Sequence, residues 1–519
     1  MKFINSKDIS LDLKDLIEKI LIMLGVFLII YLRILWMDNH YYINGAPVWD
    51  TGWFAHLISN PSLNLSNPKV IGFASSYYDT HFSPILSIYA FLSPFKFLED
   101  STQFAIFIGI CKVSCFPLIY FSIKNNFKLA NKYKSLICLY IFSFLFTVIT
   151  EPDRLVKFPH FEVAIPCLIA CSLFFLVRKS YFFLVLSLVI ALGFREDAGF
   201  HIGLIYLLLF FYCSYQNRLS IENKQKYKGY KNITFRIFSL CFIYSILSIF
   251  IQKFFFLNDN AFSRIYSGET FYSHLNLDFI INRFNQLFIF QSYNGFWLLT
   301  PIIIYIIAYI CTKNILFLIG FISCLPWFCL NLMAVSHIAG IFGAHYGFPF
   351  LTGILTPFLL INSDIDNNHI VLKNRYLIFL LVFSSTLILI LNLNYINKSF
   401  SKVPENYKLA TNKAIKKISL NSRLLKDNNI LLSNPIVSFV PDIFEDRDVA
   451  IYKLLELEDI NGIIYMKGSY EERQILDYLK QIFKDYSLRT KECSINQESN
   501  IHGVFRQEYF KALNFLCEE

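Results

Sequence analysis

The chain has 519 residues, of which 55% are hydrophobic and only 16% charged, with a formal net charge of +9. A soluble domain carries about 25% charged residues; here the charges cluster between apolar runs of about 14 to 21 residues, which excludes a single large soluble core. The positive balance does not point to nucleic acid, because the basic residues flank the apolar runs and no zinc-finger spacing, RNP-type aromatic motif or basic helix occurs.

A run of about 20 apolar residues spans a hydrocarbon core of roughly 30 Å. On that basis the expected fold is a polytopic α-helical membrane protein with about eleven transmembrane helices and a small extracytoplasmic α/β domain at the C-terminus. Residues 1–15 form a cytoplasmic N-terminus and 16–397 the transmembrane part. Leu16–Trp36 is too long for a signal h-region and no small-residue cleavage site follows, so it is expected as a retained first span. The others are placed near 102–123, 134–150, 160–177, 181–194, 198–213, 237–256, 294–311, 315–332, 346–361 and 376–394.

Four basic clusters test this count. They are Lys124 to Lys134, Arg178-Lys179, Arg218 to Arg236, and Lys373 with Arg375. The positive-inside rule puts all of them in the cytoplasm, so an even number of spans separates each pair. His81 to Phe97 is then a helix at the outer interface rather than a crossing. The stretch 181–213, about 50 Å long as one helix, becomes two spans turning at Arg195-Glu196-Asp197 on the outer side. The N-terminus falls inside, and the outer loop 37–101 and the tail 398–519 fall outside.

In the tail, Asn406–Ile418 reads as an amphipathic helix and Tyr470–Tyr486 as another. Ile430–Ser433, Gly462–Tyr465 and His502–Gln507 read as strands, a pattern of a small α/β domain. Ten of the twelve cysteines lie in apolar runs as packing residues and no CxxC occurs. Cys493 and Cys517 could pair if the tail faces an oxidising compartment.

Before the tail, the outer loops and span ends collect eight histidines, and many acids join them. The first loop carries Val48-Trp-Asp-Thr-Gly-Trp-Phe54 and Tyr77-Tyr-Asp-Thr-His-Phe-Ser-Pro84. Asp50 could act as a general base on a sugar hydroxyl or hold a divalent metal, or be a solvated residue between two interfacial tryptophans; the residues alone leave both open. Asp79 and His81 share a face only in extended chain, and Asp79 or Thr80 is equally a helix cap. Arg195 could pair with a lipid phosphate, oriented by Glu196 and Asp197, or the triplet could solvate a turn. Phe158-Pro-His-Phe-Glu162 opens another span from the same side, placing His160 and Glu162 as candidate binding residues or as a polar helix end.

Together Trp49-Asp-Thr-Gly52, His81-Phe-Ser-Pro84, Phe158-Pro-His-Phe-Glu162, Arg195-Glu-Asp197 and Ala344-His-Tyr-Gly-Phe-Pro349 resemble the predicted membrane protein family known as domain of unknown function 2079. Asn434 to Tyr452 resembles that family's tail segment, and the resemblance runs from about 30 to 465. In two places the chain departs from the family pattern: Pro159 precedes His160, and Arg195 stands where lysine is usual. The family is similar to the GT-C membrane glycosyltransferases, which take a sugar from a polyprenyl-phosphate carrier. The resemblance implies glycosyl transfer, with Asp50, Asp79 and His81 as the candidate catalytic residues. The candidate substrate-binding residues are His160, Glu162, Arg195, Glu196, Asp197, His345 and Tyr346, and a divalent metal is left open. The partners implied are the lipid bilayer, a polyprenyl-phosphate-linked sugar and an acceptor. A transporter or flippase is the alternative, although paired repeats and mid-span charges common in transporters are not visible. A non-catalytic assembly or sensor protein is a third. An enzyme needs Asp50, His81, His160 and Arg195 around one outer cavity; a transporter needs a path to the inner face.

Overall fold

The computed structural model describes residues 6–39, 42, 54, 57–58, 61–63, 65–66, 76–98, 100–127, 133–149, 161–219, 224–256, 262–268, 270–290, 294–342, 346–366, 374–399, 402–428, 430–432, 461–467 and 490–517. Among them, four helices are long and apolar enough to cross a membrane: Asp15–Asp38, Thr102–Asn126, Ala198–Leu219 and Lys224–Phe255. Seven shorter apolar helices, Lys134–Val148, Phe161–Val177, Tyr181–Leu192, Leu299–Thr312, Ile319–Leu332, Phe348–Leu360 and Arg375–Leu387, fall on the other seven predicted spans. At 1.5 Å per residue the shortest are about 18 Å long, less than the hydrocarbon core.

The chain divides into two compact units. The first comprises Met1–Leu32, Phe82–Ile85 and Phe107–Ile396. In chain order its main helices are α1 (Ser6–Asp38, begun here), α2 (Asp100–Val113, completed here), α3 (Cys115–Asn126), α4 (Tyr133–Ile149), α5 (Ala164–Val177), α6 (Tyr181–Leu192), α7 (Ala198–Leu219), α8 (Lys224–Phe255), α9 (Leu277–Asn285), α10 (Asn294–Thr312), α11 (Ile319–Leu332), α12 (Phe348–Leu360) and α13 (Asn374–Ser399). Ser114 breaks the rod between α2 and α3, its hydroxyl donating to Cys111 O at 2.8 Å, and such back-bonding bends apolar helices. Helices α7 and α8 pack face to face through Gly199. A Cβ there would collide with Cys241 O on α8, so only glycine lets the two backbones approach.

Polar contacts gather at two ends of this unit. At one, Lys124 pairs with Glu18, Asn126 Nδ2 donates to Leu359 O and Ile361 O at 3.3 and 3.0 Å, and Lys179 pairs with Asp364 at 3.3 Å. Tyr227 donates to Ile365 O and Asn314 to both oxygens of Asp366 at the same turn. Asn126, Lys179 and Tyr227, each from a segment that carries a basic cluster, thus contact residues 359–366. The other end holds Glu162, Arg195–Asp197, Phe82, Tyr266 and Tyr346, described below.

The second unit comprises Arg33–His81, Leu86–Ile106 and Asn397–Glu519. The first unit ends at Ile396 and the tail begins at Asn397 in the second, which also takes in most of the first loop. The contacts responsible start from helix Glu405–Leu420 (α14). Lys408 pairs with Asp38 at 2.5 Å and lies over the Tyr42 ring, and Tyr407 donates to Tyr42 O at 3.2 Å. The helix of Pro84–Leu92 has nine residues, about 14 Å, too short to cross.

The tail forms a four-stranded sheet, β1 (Ile430–Leu432), β2 (Gly462–Met466), β3 (Thr490–Ser494) and β4 (Ile501–Arg506), in the order β1-β2-β4-β3. β1 and β2 are parallel, with Ile430 opposite Gly462; the other pairs are antiparallel, with Tyr465 opposite His502 and Cys493 opposite Gly503. Side chains alternate across the sheet, so Ile464, Met466, Ile501 and Phe505 share the face that packs on Ile418 and Leu513. Cys493 and Cys517 form a disulfide across 24 residues. The three expected strands and the first tail helix are present within one or two residues; β3 and the C-terminal helix Gln507–Leu513 are additional. The helix expected at 470–486 lies outside the described residues.

A buried charged centre in the first unit

Glu162 sits in the single 3-10 turn Phe161–Val163 that opens α5. Arg195 lies in the turn between α6 and α7. The turns are held together by their aromatic neighbours: Phe194 stacks on Phe161 (6.0 Å, 17°) and on Phe107 (5.7 Å, 26°). Both faces of Phe194 are thereby committed, and Arg195 is aimed at α5. Its Nη1 donates to Glu162, its Nη2 to Asp197 Oδ2 at 3.0 Å, and its Nε lies 2.8 Å from Asp197 Oδ1. The Nη2–Oδ2 contact is a charge-assisted hydrogen bond, whereas the Nε–Oδ1 approach is an ion-pair contact without hydrogen-bond geometry. The Glu162 side chain is 1% exposed, Arg195 14% and Asp197 24%. Burial alone would pull Arg195 down, but the carboxylates of Asp197, Glu162 and Glu196 outweigh it and hold the guanidinium firmly charged.

Glu196 turns to the chain leading out of the first loop, accepting from Phe82 N–H at 2.9 Å. Ser83 donates to Phe194 O, and Ile85 N–H to Gly193 O at 3.0 Å. Thus His81-Phe-Ser-Pro84 and Arg195-Glu-Asp197 meet through Phe82 and Ser83. Tyr266 closes the centre. Burial, then the neighbouring Tyr346, push its hydroxyl up, while Arg195 opposes them. Tyr346 O accepts from Asn331 Nδ2 at 3.1 Å. One turn into α7, His201 is buried, its ring on Trp327 (3.3 Å) and beside Phe348 (5.3 Å); among the described residues its Nε2 meets no hydrogen-bond partner.

The structure therefore brings together Glu162, Arg195, Glu196, Asp197 and Tyr346. Sequence reasoning missed Tyr266 and Trp327, which carry no signal in their local pattern. His201 had one: it lies four residues after Asp197, on the same helical face.

Asp79 and His81 belong to the second unit. Asp79 ends the 3-10 turn Tyr77–Asp79 in a capping box: its Oδ2 accepts from Ser76 N–H at 3.1 Å, and Ser76 Oγ accepts from Tyr78 N–H at 3.1 Å. Its carboxylate thus caps this turn, as N3 rather than as the N-cap of the following apolar helix. His81 is half-buried, 6.0 Å from the Tyr77 ring. Asp50, His160 and His345 lie outside the described residues. Among the described residues no group of three His, Cys, Asp or Glu could hold a metal ion.

Comparison with protein families, with curated proteins and with solved structures found no match.

Proposed function

We propose that the chain is a membrane glycosyltransferase that moves a sugar from a polyprenyl-phosphate carrier to an acceptor at the outer face. The observation that carries this reading is the convergence of segments near 82, 162, 195 and 346 on one buried charged centre. Ionisable groups at membrane depth are costly and default to function. Sidedness is part of the proposal. The end with the basic clusters faces the cytoplasm, the charged centre faces outward, and eleven crossings alternate between them. The Asp38–Lys408 pair supports a reading in which the end of the first span and the tail share one side of the bilayer. A disulfide in the tail fits an oxidising compartment.

In this mechanism Asp50 takes the proton of the acceptor hydroxyl, which attacks the anomeric carbon with inversion, and the lipid phosphate leaves toward Arg195. Arg195 already has two carboxylates. Asp197 is the more exposed of them and yields to the phosphate, while the buried Glu162 keeps the guanidinium aimed. The test is incubation of the purified chain with a panel of polyprenyl-phosphate sugars, scoring release of the lipid phosphate. Release from one carrier, lost in Glu162→Gln, supports the assignment; no release from any carrier and acceptor combination overturns it.

A further inference from the structure

A second feature of the first unit is independent of glycosyl transfer. Helices α9, α10 and α11 enclose an apolar groove of about 480 Å³, lined by Ile280, Phe284, Leu287, Leu299, Phe328 and Met333, with Arg283 in its wall. Ile280 and Phe284 are more than half exposed at its mouth. Arg283 is 6% exposed. It donates to Ala334 O at 2.5 Å, to His337 O at 3.4 Å and to Gln286 Oε1 at 3.2 Å, and lies 4.9 Å over the Phe279 ring. Every one of these partners is neutral. Among the described residues no carboxylate pairs with it, and its buried Nε–H meets no acceptor. Burial pulls the guanidinium down.

That is the opposite of Arg195, which has two carboxylates. A buried charge is normally paired. This one is nonetheless built in: a Cβ at Gly340 would collide with the guanidinium, so glycine there makes room for it. The missing partner is an anion, and the groove beside it takes hydrocarbon. Arg283 binds carbonyls just past the end of α11, which in the proposed topology is where an apolar helix meets the head-group layer. Helix α9 is amphipathic, with Ile280, Ile281 and Phe284 on one face and Asp278, Asn282 and Asn285 away from it, the pattern of a helix lying in the interface.

We propose that this groove binds one anionic glycerophospholipid of the bilayer, an acyl chain lying between α9, α10 and α11 and its phosphodiester on Arg283. Ile280 and Phe284 are exposed at the mouth, and on a membrane-spanning bundle exposed apolar side chains meet lipid, so the proposed occupant is a phospholipid. The site shares the segment Asn331–Ser336 with the charged centre. Arg283 holds Ala334 O, Val335 N–H donates to Tyr266 O at 3.1 Å, and Asn331 holds Tyr346 O. Arg283 and the Tyr266 backbone thus bind adjacent residues of that segment, Ala334 and Val335.

The test is native mass spectrometry of the full chain in detergent, titrated with phosphatidylglycerol, with phosphatidylcholine of the same chains, and with geranylgeranyl phosphate. One saturable phosphatidylglycerol is expected, bound about tenfold or more tighter than phosphatidylcholine, the scale of a hydrogen bond to a charged group. Arg283→Gln should reduce that preference below about threefold, and Leu287→Trp should weaken all chain binding by filling the groove. Equal binding of the two phospholipids by the unmodified chain, a preference that survives Arg283→Gln, or a clear preference for the isoprenyl phosphate would each overturn the proposal. The head-group comparison uses the unmodified chain, so it decides the matter even where a variant fails to fold, and it involves no transfer step.

Discussion

Two arginines in one bundle behave differently because of what stands beside them. Arg195 is compensated by Glu162 and Asp197, which lie thirty-three residues before it and two after it. Losing the charge of Glu162 leaves a buried guanidinium half-compensated, and breaking such pairs costs about 3 to 5 kcal/mol. Glu162→Gln should therefore lower the thermal midpoint in detergent by several degrees; an unchanged midpoint would mean that water already screens the pair. For the first loop, Asp79→Ala should cost about 1 kcal/mol through the lost cap, read by the same thermal scan. Asp50→Asn should leave that midpoint in place and cut transfer by about 10²- to 10⁴-fold. A loss under about threefold would make Asp50 a loop residue.

At the level of elements, charge parity placed the turn at Arg195 and rejected a crossing at 81–97. The structure has helices on both sides of that turn and only a nine-residue helix at Pro84–Leu92. A cysteine introduced at Lys96 should react with an impermeant maleimide added outside intact cells. Protection that ends only on permeabilisation would mean that this segment crosses, and the sidedness of everything after it would reverse. Helix existence was legible because hydrophobic length and basic flanks are local quantities. The short tail strand Thr490–Ser494 was not, since Lys491 and Glu492 interrupt its apolar pattern and its place is set by pairing with Ile501–Arg506.

Across the whole molecule, the tail and the first loop form one unit although more than 300 residues separate Lys408 from Asp38. A tail outside the cytoplasm should keep Cys493 and Cys517 oxidised in cells, so that they label with maleimide only after reduction. Ready labelling without reductant would put the tail in a reducing compartment and the span count off by one. Replacing Cys493 by serine should cost about 3 kcal/mol, the usual effect of opening a loop of this size.

The sequence by itself determined that the chain is a helical membrane protein, where its apolar helices lie and which end of each carries basic charge. These follow from the hydrocarbon thickness and from residues within one turn of each helix end. It also marked Glu162, Arg195, Glu196, Asp197 and Tyr346 as candidates, because charge and polarity beside apolar runs are visible locally. Only the tertiary structure decided that Glu162 and Asp197 share Arg195 while Glu196 serves Phe82, that Asp79 caps a turn, and that Tyr266 and Trp327 join the centre. It alone left Arg283 buried among neutral partners. Which charge meets which is settled by packing between helices distant in sequence, and no local pattern records that.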